Sequence, residues 1–529
     1  PPSLRERRKS GAAAADRVFY WTTRFRQASA TQRLRWLTES FHRHAPSNAL
    51  TSTLVADHPY FGGSGLGMGM DRENTTWGGY PQSLDWFGLA RERAVDVIGI
   101  EDWLGLNYMY GPDSTWEGFQ LLGFQAAIFR SGSRGTMPVI AWITPSDETN
   151  LRLKSASALC QGAKHFFYWI YGPTATSTEN YWSDLRGAHD GVAAMARHLA
   201  GAEHILAPGR PRAARVAVLY SLSSDLWQPF GYAAMAERRL TYLSLVHDQY
   251  LVDFLTEGDV AEGRLRDYAA LYAVDPCVSA AACAAIRAWV GEGGRLYGAC
   301  GAATRNEYGE EADGLSDVFG IAPRPEVTVQ PGRFDVRGAL NDLAWLDRVG
   351  VGAGGFGALG VKARLAPTTG TATGFFADGA PAVVTNRFGR GAAVCVATCP
   401  GLSYAKDARF VRAELKEKWP AAQREFINAT ARESGAPRLV GLSHPVVEAG
   451  VYDAPAGGAL VLANFTYERI PRLEIRLAVR DAPRRVRSME RGDLRFRVED
   501  APAAEAARGF PKLAACTLDL GLSDIVVFE

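Results

Sequence analysis

Two adjacent carboxylates, Glu101 and Asp102, leave the apolar run VIGI directly and are followed by Trp103. Hydrolysis of a glycosidic bond needs two such groups. One protonates the leaving oxygen, and the other attacks the sugar or activates water, about 5–5.5 Å apart for retention and about 6.5–9.5 Å for inversion. Neighbouring residues on a strand point to opposite faces, so at most one of Glu101 and Asp102 faces a substrate, and the alternative is a strand-end carboxylate that caps the next segment or pairs with an arginine. A second acidic pair, Asp147 and Glu148, follows MPVIAWITPS. Glu148 is a further catalytic candidate, and the pair also has the spacing of an N-cap and a first-turn acid for a helix starting near Thr149. His58, beside Tyr60 and Phe61, is placed either to hydrogen-bond a sugar hydroxyl or to hold structure. Trp103, Tyr108, Trp142, Trp169 and Tyr171 fall at or after apolar runs, where a ring either stacks on a pyranose face or fills a core.

A different chemistry is suggested by Gly-Ala-Cys-Gly-Ala at Gly298 to Ala302, where Cys300 would sit on a glycine-flanked elbow after a strand. Such a nucleophile needs a histidine base, and the only histidine downstream is His444 in SHPVVEA. A buried strand-end thiol is the simpler reading. The stretch GSGLGMGMDRE at Gly63 to Glu73 lacks the lysine of a phosphate-binding loop and reads as a lid over a barrel mouth.

Bulk composition removes several classes. The 58 basic and 57 acidic residues give a net charge of +1, so no global field recruits nucleic acid or an anionic membrane. Seven cysteines without a CxxC pair or a Cys/His cluster fit neither a disulfide framework nor a zinc site, and no motif calls for a cofactor. No apolar run is long enough to cross a bilayer. The sequence begins at Pro1 with a basic, then Ala-rich segment unlike a signal peptide. We therefore expect the true N-terminus to lie upstream; this end does not fix the compartment, and the cytoplasm is only slightly favoured.

The elements that must position these residues alternate. A helical pattern over 19–46 is followed by strands ending near Asp57, Glu101, Ile143 and Trp169, each separated from the next by helical segments. Such alternation predicts right-handed βαβ units and a parallel sheet, four strands being half of an eight-stranded barrel. Barrel enzymes place their chemistry in loops after the strands, which is why these strand ends draw attention. The segment LAPGRPRAA reads as a boundary. A second α/β series follows, with strands RVAVLYS, YLVDFLT, YAALYAV and GRLYGAC, a closing strand GAAVCVATCPG, and a helix FVRAELKEKWPAAQREFINATARESG. Beyond it, short alternating segments from PVVEAGVYD to DIVVFE predict a small antiparallel β-sandwich.

This order of parts, together with RVAVLYSLSSDLWQP, GRGAAVCVATCPGLSY, GAKHFFYWIYGP, VDVIGIEDWLG and MPVIAWITPSDE, resembles family-42 glycoside hydrolases, the β-galactosidases that join a TIM barrel to an amidotransferase-like trimerisation domain and a C-terminal β domain. The resemblance implies a partial (β/α)8 barrel over residues 1–205 that lacks strands one to four. It further implies a flavodoxin-like, class I amidotransferase-like α/β domain over 206–437 and a β-sandwich over 438–529. It implies a carbohydrate substrate and a homotrimer, and it matches Asp102 to a substrate-side aspartate at the sixth strand. The general acid/base would belong to the fourth strand, which has no counterpart, and Ile143 occupies the place of the nucleophilic glutamate.

Overall fold

The computed structural model describes residues 13–56, 85–101, 115–144, 147–169, 186–332, 334, 337–352, 354–408 and 418–529. A helix, α1 (Ala13–His42), leads into β1 (Ser52–Ala56). Next come α2 (Trp86–Arg91), β2 (Val97–Glu101), α3 (Thr115–Ser133), β3 (Val139–Ile143), α4 (Glu148–Cys160), β4 (His165–Tyr168) and α5 (Arg186–Leu206). The four strands pair in parallel in chain order, β1-β2-β3-β4, as short strands joined by helical crossovers must.

The two faces of this sheet differ. Ile98, Ile100, Val139, Ala141 and Ile143 are buried toward the helices. On the other face Ile140 and Trp142 are half-buried, while Leu54 and Phe167 are 37% and 42% exposed. Period-2 alternation produces this split, because a strand buried on one side shows every second residue on the other.

Helix α4 is buried along its whole length from Asn150 to Cys160. It packs on α3 and α5 and, across its far side, on strands Val447–Ala454 and Gly457–Asn464. Gly450 permits that approach, since a Cβ there would overlap the Cys160 backbone. Glu448 is buried beside it and accepts hydrogen bonds from Ser157 Oγ and Gln161 Nε2, both at 2.8 Å.

The second α/β series forms a nine-stranded sheet. Strands Val252–Thr256, Val216–Tyr220, Ala270–Ala273, Arg295–Gly298 and Gly391–Val396 run parallel in that spatial order. Pro381–Phe388, Thr371–Phe376, Asp347–Val351 and Gly354–Ala358 extend it antiparallel. The glycine-rich stretch after Val327, which lacks clear periodicity in sequence, thus supplies edge strands. The C-terminal residues form antiparallel sheets of four and six strands. They include Phe496–Asp500 and Lys512–Leu520, which the sequence pattern did not single out.

One expectation is corrected. The segment 410–435 is not one helix: its helix is Ala421–Glu433, with Pro420 in extended conformation at its N-cap. Proline disfavours helix in the residue before it and cannot donate a backbone hydrogen bond. The boundary segment LAPGRPRAA itself contributes a short strand, Arg210–Pro211, which pairs antiparallel with Tyr452 and Asp453 of the six-stranded sheet.

Candidate functional site

The carboxyl ends of β1–β4 carry one row of residues in register on the open face: Ala56 opposite Glu101, Glu101 opposite Trp142, and Trp142 opposite Phe167. Neighbouring strands lie about 4.8 Å apart, so the Glu101 side chain stands next to the Trp142 ring. Trp169 continues the face two residues beyond Phe167, its amide donating to Ile143 O at 2.8 Å. The rings cluster, with centroids 4.3 Å apart for Trp142 and Phe167, 5.6 Å for Trp142 and Trp169, and 6.0 Å for Phe167 and Trp169. Gly99 makes room for this cluster, since a Cβ there would lie 2.8 Å from Leu54 Cδ1 and 3.0 Å from Trp142 Nε1. That Trp142 nitrogen is shielded from solvent and has no hydrogen-bond partner among the described residues. A carboxylate beside a tilted aromatic platform, at the C-terminal end of a parallel sheet, is suited to holding a ring with an apolar face and hydroxyl edges.

The structure thus brings Glu101, Trp142 and Trp169 together. Phe167 joins them although sequence reasoning missed it; the alternation in HFFYW, which puts Phe167 and Trp169 on one side, was the available signal. Ile143 is fully buried on the helix side of β3, so its position points away from the open face. Glu148 is not part of this group. Asp147 caps α4 by accepting from Asn150 N at 2.7 Å, and Glu148 lies 3.3 Å from Arg152 Nη1. Arg152 in turn donates to Ser523 O at 2.8 Å, which ties Glu148 to the C-terminal sheet on the helix side. His58, Asp102, Trp103, Tyr108, Tyr171 and the glycine-rich segment 63–73 lie outside the described residues.

The strand ends of the nine-stranded sheet are filled instead. Arg238, fully buried, lies 2.9 Å from Asp225 Oδ1, also pairs with Asp275, and stacks 4.3 Å over the Tyr220 ring. Glu257 accepts from Ser223 Oγ at 2.9 Å and Ser279 N at 2.7 Å. Helix α1 covers this region, its Phe19 ring 5.6 Å from Trp227 and its Tyr20 ring 5.3 Å from Tyr308. Cys300 does adopt the left-handed backbone of an elbow, φ 54°, but its side chain is wholly buried and burial pushes the thiol up, away from thiolate. Among the described residues no group of three His, Cys, Asp or Glu side chains is placed to hold a metal, and no helix is long and apolar enough to cross a membrane.

No family model matches the chain, and no curated protein matches it. Solved structures do. The fold resembles that of a catalytic mutant of a family-42 β-galactosidase from G. stearothermophilus at 17% identity and TM-score 0.59, over 84% of this chain and 61% of that one. It is similar to a β-galactosidase from a Rahnella species at 17% identity and TM-score 0.64, over 98% and 69% of the two chains. It is also similar to one from the haloarchaeon Halorubrum lacusprofundi at 16% identity and TM-score 0.62, over 96% and 67%. The chain thus spans between three fifths and about seven tenths of the length of these enzymes.

Proposed function

We propose that residues 1–205 are half of a (β/α)8 barrel, that a further set of βα units closes the open face, and that the completed barrel hydrolyses a β-linked glycoside. Residues 206–437 then form the amidotransferase-like domain and 438–529 the β-sandwich, in a homotrimer. The carrying observation is the row Glu101, Trp142, Phe167 with Trp169, which joins a carboxylate to an aromatic platform on the open face. Two further features support closure. The open face exposes Leu54 and Phe167, and α1 exposes Trp21, Phe25 and Trp36 at 59%, 70% and 63% along one side. Apolar rings at that density belong under a covering layer. The similar solved structures are β-galactosidases, which favours a β-galactoside as substrate.

In this reading Glu101 is one of the two working carboxylates and Asp102 flanks it, while the acid/base comes from the covering units. Assay of the full-length protein on 4-nitrophenyl β-D-galactoside and its α-anomer tests this. The β-anomer should be cleaved, and Glu101→Gln should reduce kcat/KM about 10²-fold or more, the scale of a lost acid–base group, at an unchanged melting temperature. Cleavage indifferent to Glu101→Gln would remove Glu101 from the chemistry. A second reading, a sugar-binding protein without hydrolysis, is favoured by one observation: β3 presents Trp142, not a carboxylate, to the open face. Saturable galactoside binding without turnover would select it. Cys300 carries no comparable case because its thiol is buried.

A further inference from the structure

A cavity of about 780 Å³ lies where the end of α3, the turn before β4, the segment 209–215 and the nine-stranded sheet meet. That volume lies within the roughly 300–1,000 Å³ of small-ligand sites. Its walls carry seven Lys or Arg side chains against two carboxylates, Asp253 and Asp267. Two of the cations are committed within the protein. Arg130 lies 3.0 Å from Asp253 and donates to Gln161 O at 2.9 Å. Arg212 grips both oxygens of Asp453 at 3.0 Å. Asp253 is further occupied by the Tyr268 hydroxyl at 2.9 Å.

The other five cations are poorly compensated. Arg134 stands 3.9 Å from both Asp259 and Glu262. Lys164 donates to backbone oxygens of Ala207 and Gly209 and stands 5.7 Å over the Tyr452 ring, with no carboxylate partner among the described residues, and Arg215 donates to the Asp267 backbone oxygen at 2.6 Å. Arg264 is half-buried; its side chain hydrogen-bonds Tyr268, while its Nε is shielded from solvent without a hydrogen-bond partner among the described residues. Lys164 and Arg210 lie close enough to oppose one another: burial first, and then the Arg210 charge, push the Lys164 ammonium down. Holding like charges together around a cavity costs free energy unless an anion joins them. Guanidinium forks suit the paired oxygens of a phosphate or sulfate group, and a lysine supplies a point charge beside them. A second cavity of about 1080 Å³ shares Arg210, Arg212 and Arg215 with the first and adds Arg480, Arg508 and the Phe510 ring, which leaves room for the rest of an esterified ligand.

We propose that this cavity binds a small oxyanion, a phosphate or sulfate ester, through Lys164, Arg210, Arg215 and Arg264. The site lies at the opposite end of the four-stranded sheet from Glu101, so it is separate from the sugar site. Calorimetric titration of the full chain with inorganic pyrophosphate, and separately with sulfate, at ionic strength fixed by KCl, tests it. Pyrophosphate should bind saturably at one site per chain. Lys164→Ala and Arg210→Ala should each weaken it about tenfold, the scale of one charge-assisted hydrogen bond. Lys164→Arg should retain most of the affinity, and Arg348→Ala, on a remote exposed strand, should change nothing. Binding of pyrophosphate well above sulfate identifies a phosphate ester, and the reverse a sulfate ester. Absence of saturable binding to either anion, or equal weakening by Arg348→Ala, would overturn the proposal. Arg210 is exposed, so Arg210→Gln decides the matter should Lys164→Ala fail to fold.

Discussion

The chain contains two sets of parallel strand ends, and they are treated in opposite ways. At the carboxyl ends of β1–β4, Glu101, Trp142, Phe167 and Trp169 lie on an open face. At the corresponding ends of the nine-stranded sheet, Arg238, Asp225, Asp275 and Glu257 form a closed polar network, roofed by α1. Parallel sheets offer ligands the crevice at their carboxyl ends. In the proposed reading the first crevice keeps that role, while the second is filled as a structural joint that anchors the long helix running from it to β1.

The largest expected effect breaks the joint. Arg238→Met leaves Asp225 and Asp275 buried without their cation and should cost about 3–5 kcal/mol in urea unfolding, with no direct effect on ligand binding at the open face. Loss of less than about 1 kcal/mol would mean that the network is not closed.

A second test concerns the joint between α4 and the C-terminal sheet. Burial raises Glu448 to about 7. The folded state therefore holds this proton more tightly than the unfolded chain, whose carboxyl titrates near the ordinary 4.5. The stability that Glu448 contributes is present in full below about pH 4.5 and is lost as pH rises to about 7. Glu448→Gln has no such titration, so unfolding free energies should shift in favour of the variant by roughly 3 kcal/mol between those pH values. A constant difference between the two proteins would show that Glu448 titrates normally.

The smallest effect sharpens the contrast between two acids, one at the end of β2 and one at the start of α4. Glu148 is itself exposed, and the buried Arg152 keeps Glu490 and Ser523 O without it, so change to Gln is expected to cost less than about 1 kcal/mol in stability and to leave activity unaltered. A Glu148→Gln variant as inactive as Glu101→Gln would erase the distinction.

The parallel sheets were legible because apolar runs such as VIGI and VIAWI have strand length and are separated by helical periods. The face of each candidate was less legible. Glu101 and Asp102 are neighbours, and only the register with Trp142 shows that Glu101 faces the open side. Asp147 and Glu148 fit a cap better than a catalytic pair in sequence, and the bond from Asn150 N to Asp147 agrees with the cap. Apolar spacing predicts one helix through Trp419-Pro420, whereas the described helix begins only after Pro420, which stands extended at its N-cap. The pairing of Arg210–Pro211 with Tyr452 and Asp453 joins residues more than two hundred positions apart and leaves no local trace. The same is true of the Arg238 network, whose members each look ordinary alone.

The central claim is that the open face at Glu101 is the sugar site. Calorimetric titration of the full-length protein with a β-galactoside, compared across the wild type, Trp142→Ala and Arg348→Ala, tests it most directly. The account predicts saturable binding that Trp142→Ala weakens about tenfold, the upper range of an aromatic packing contact, and that Arg348→Ala leaves unchanged. Equal affinity in all three proteins would contradict it.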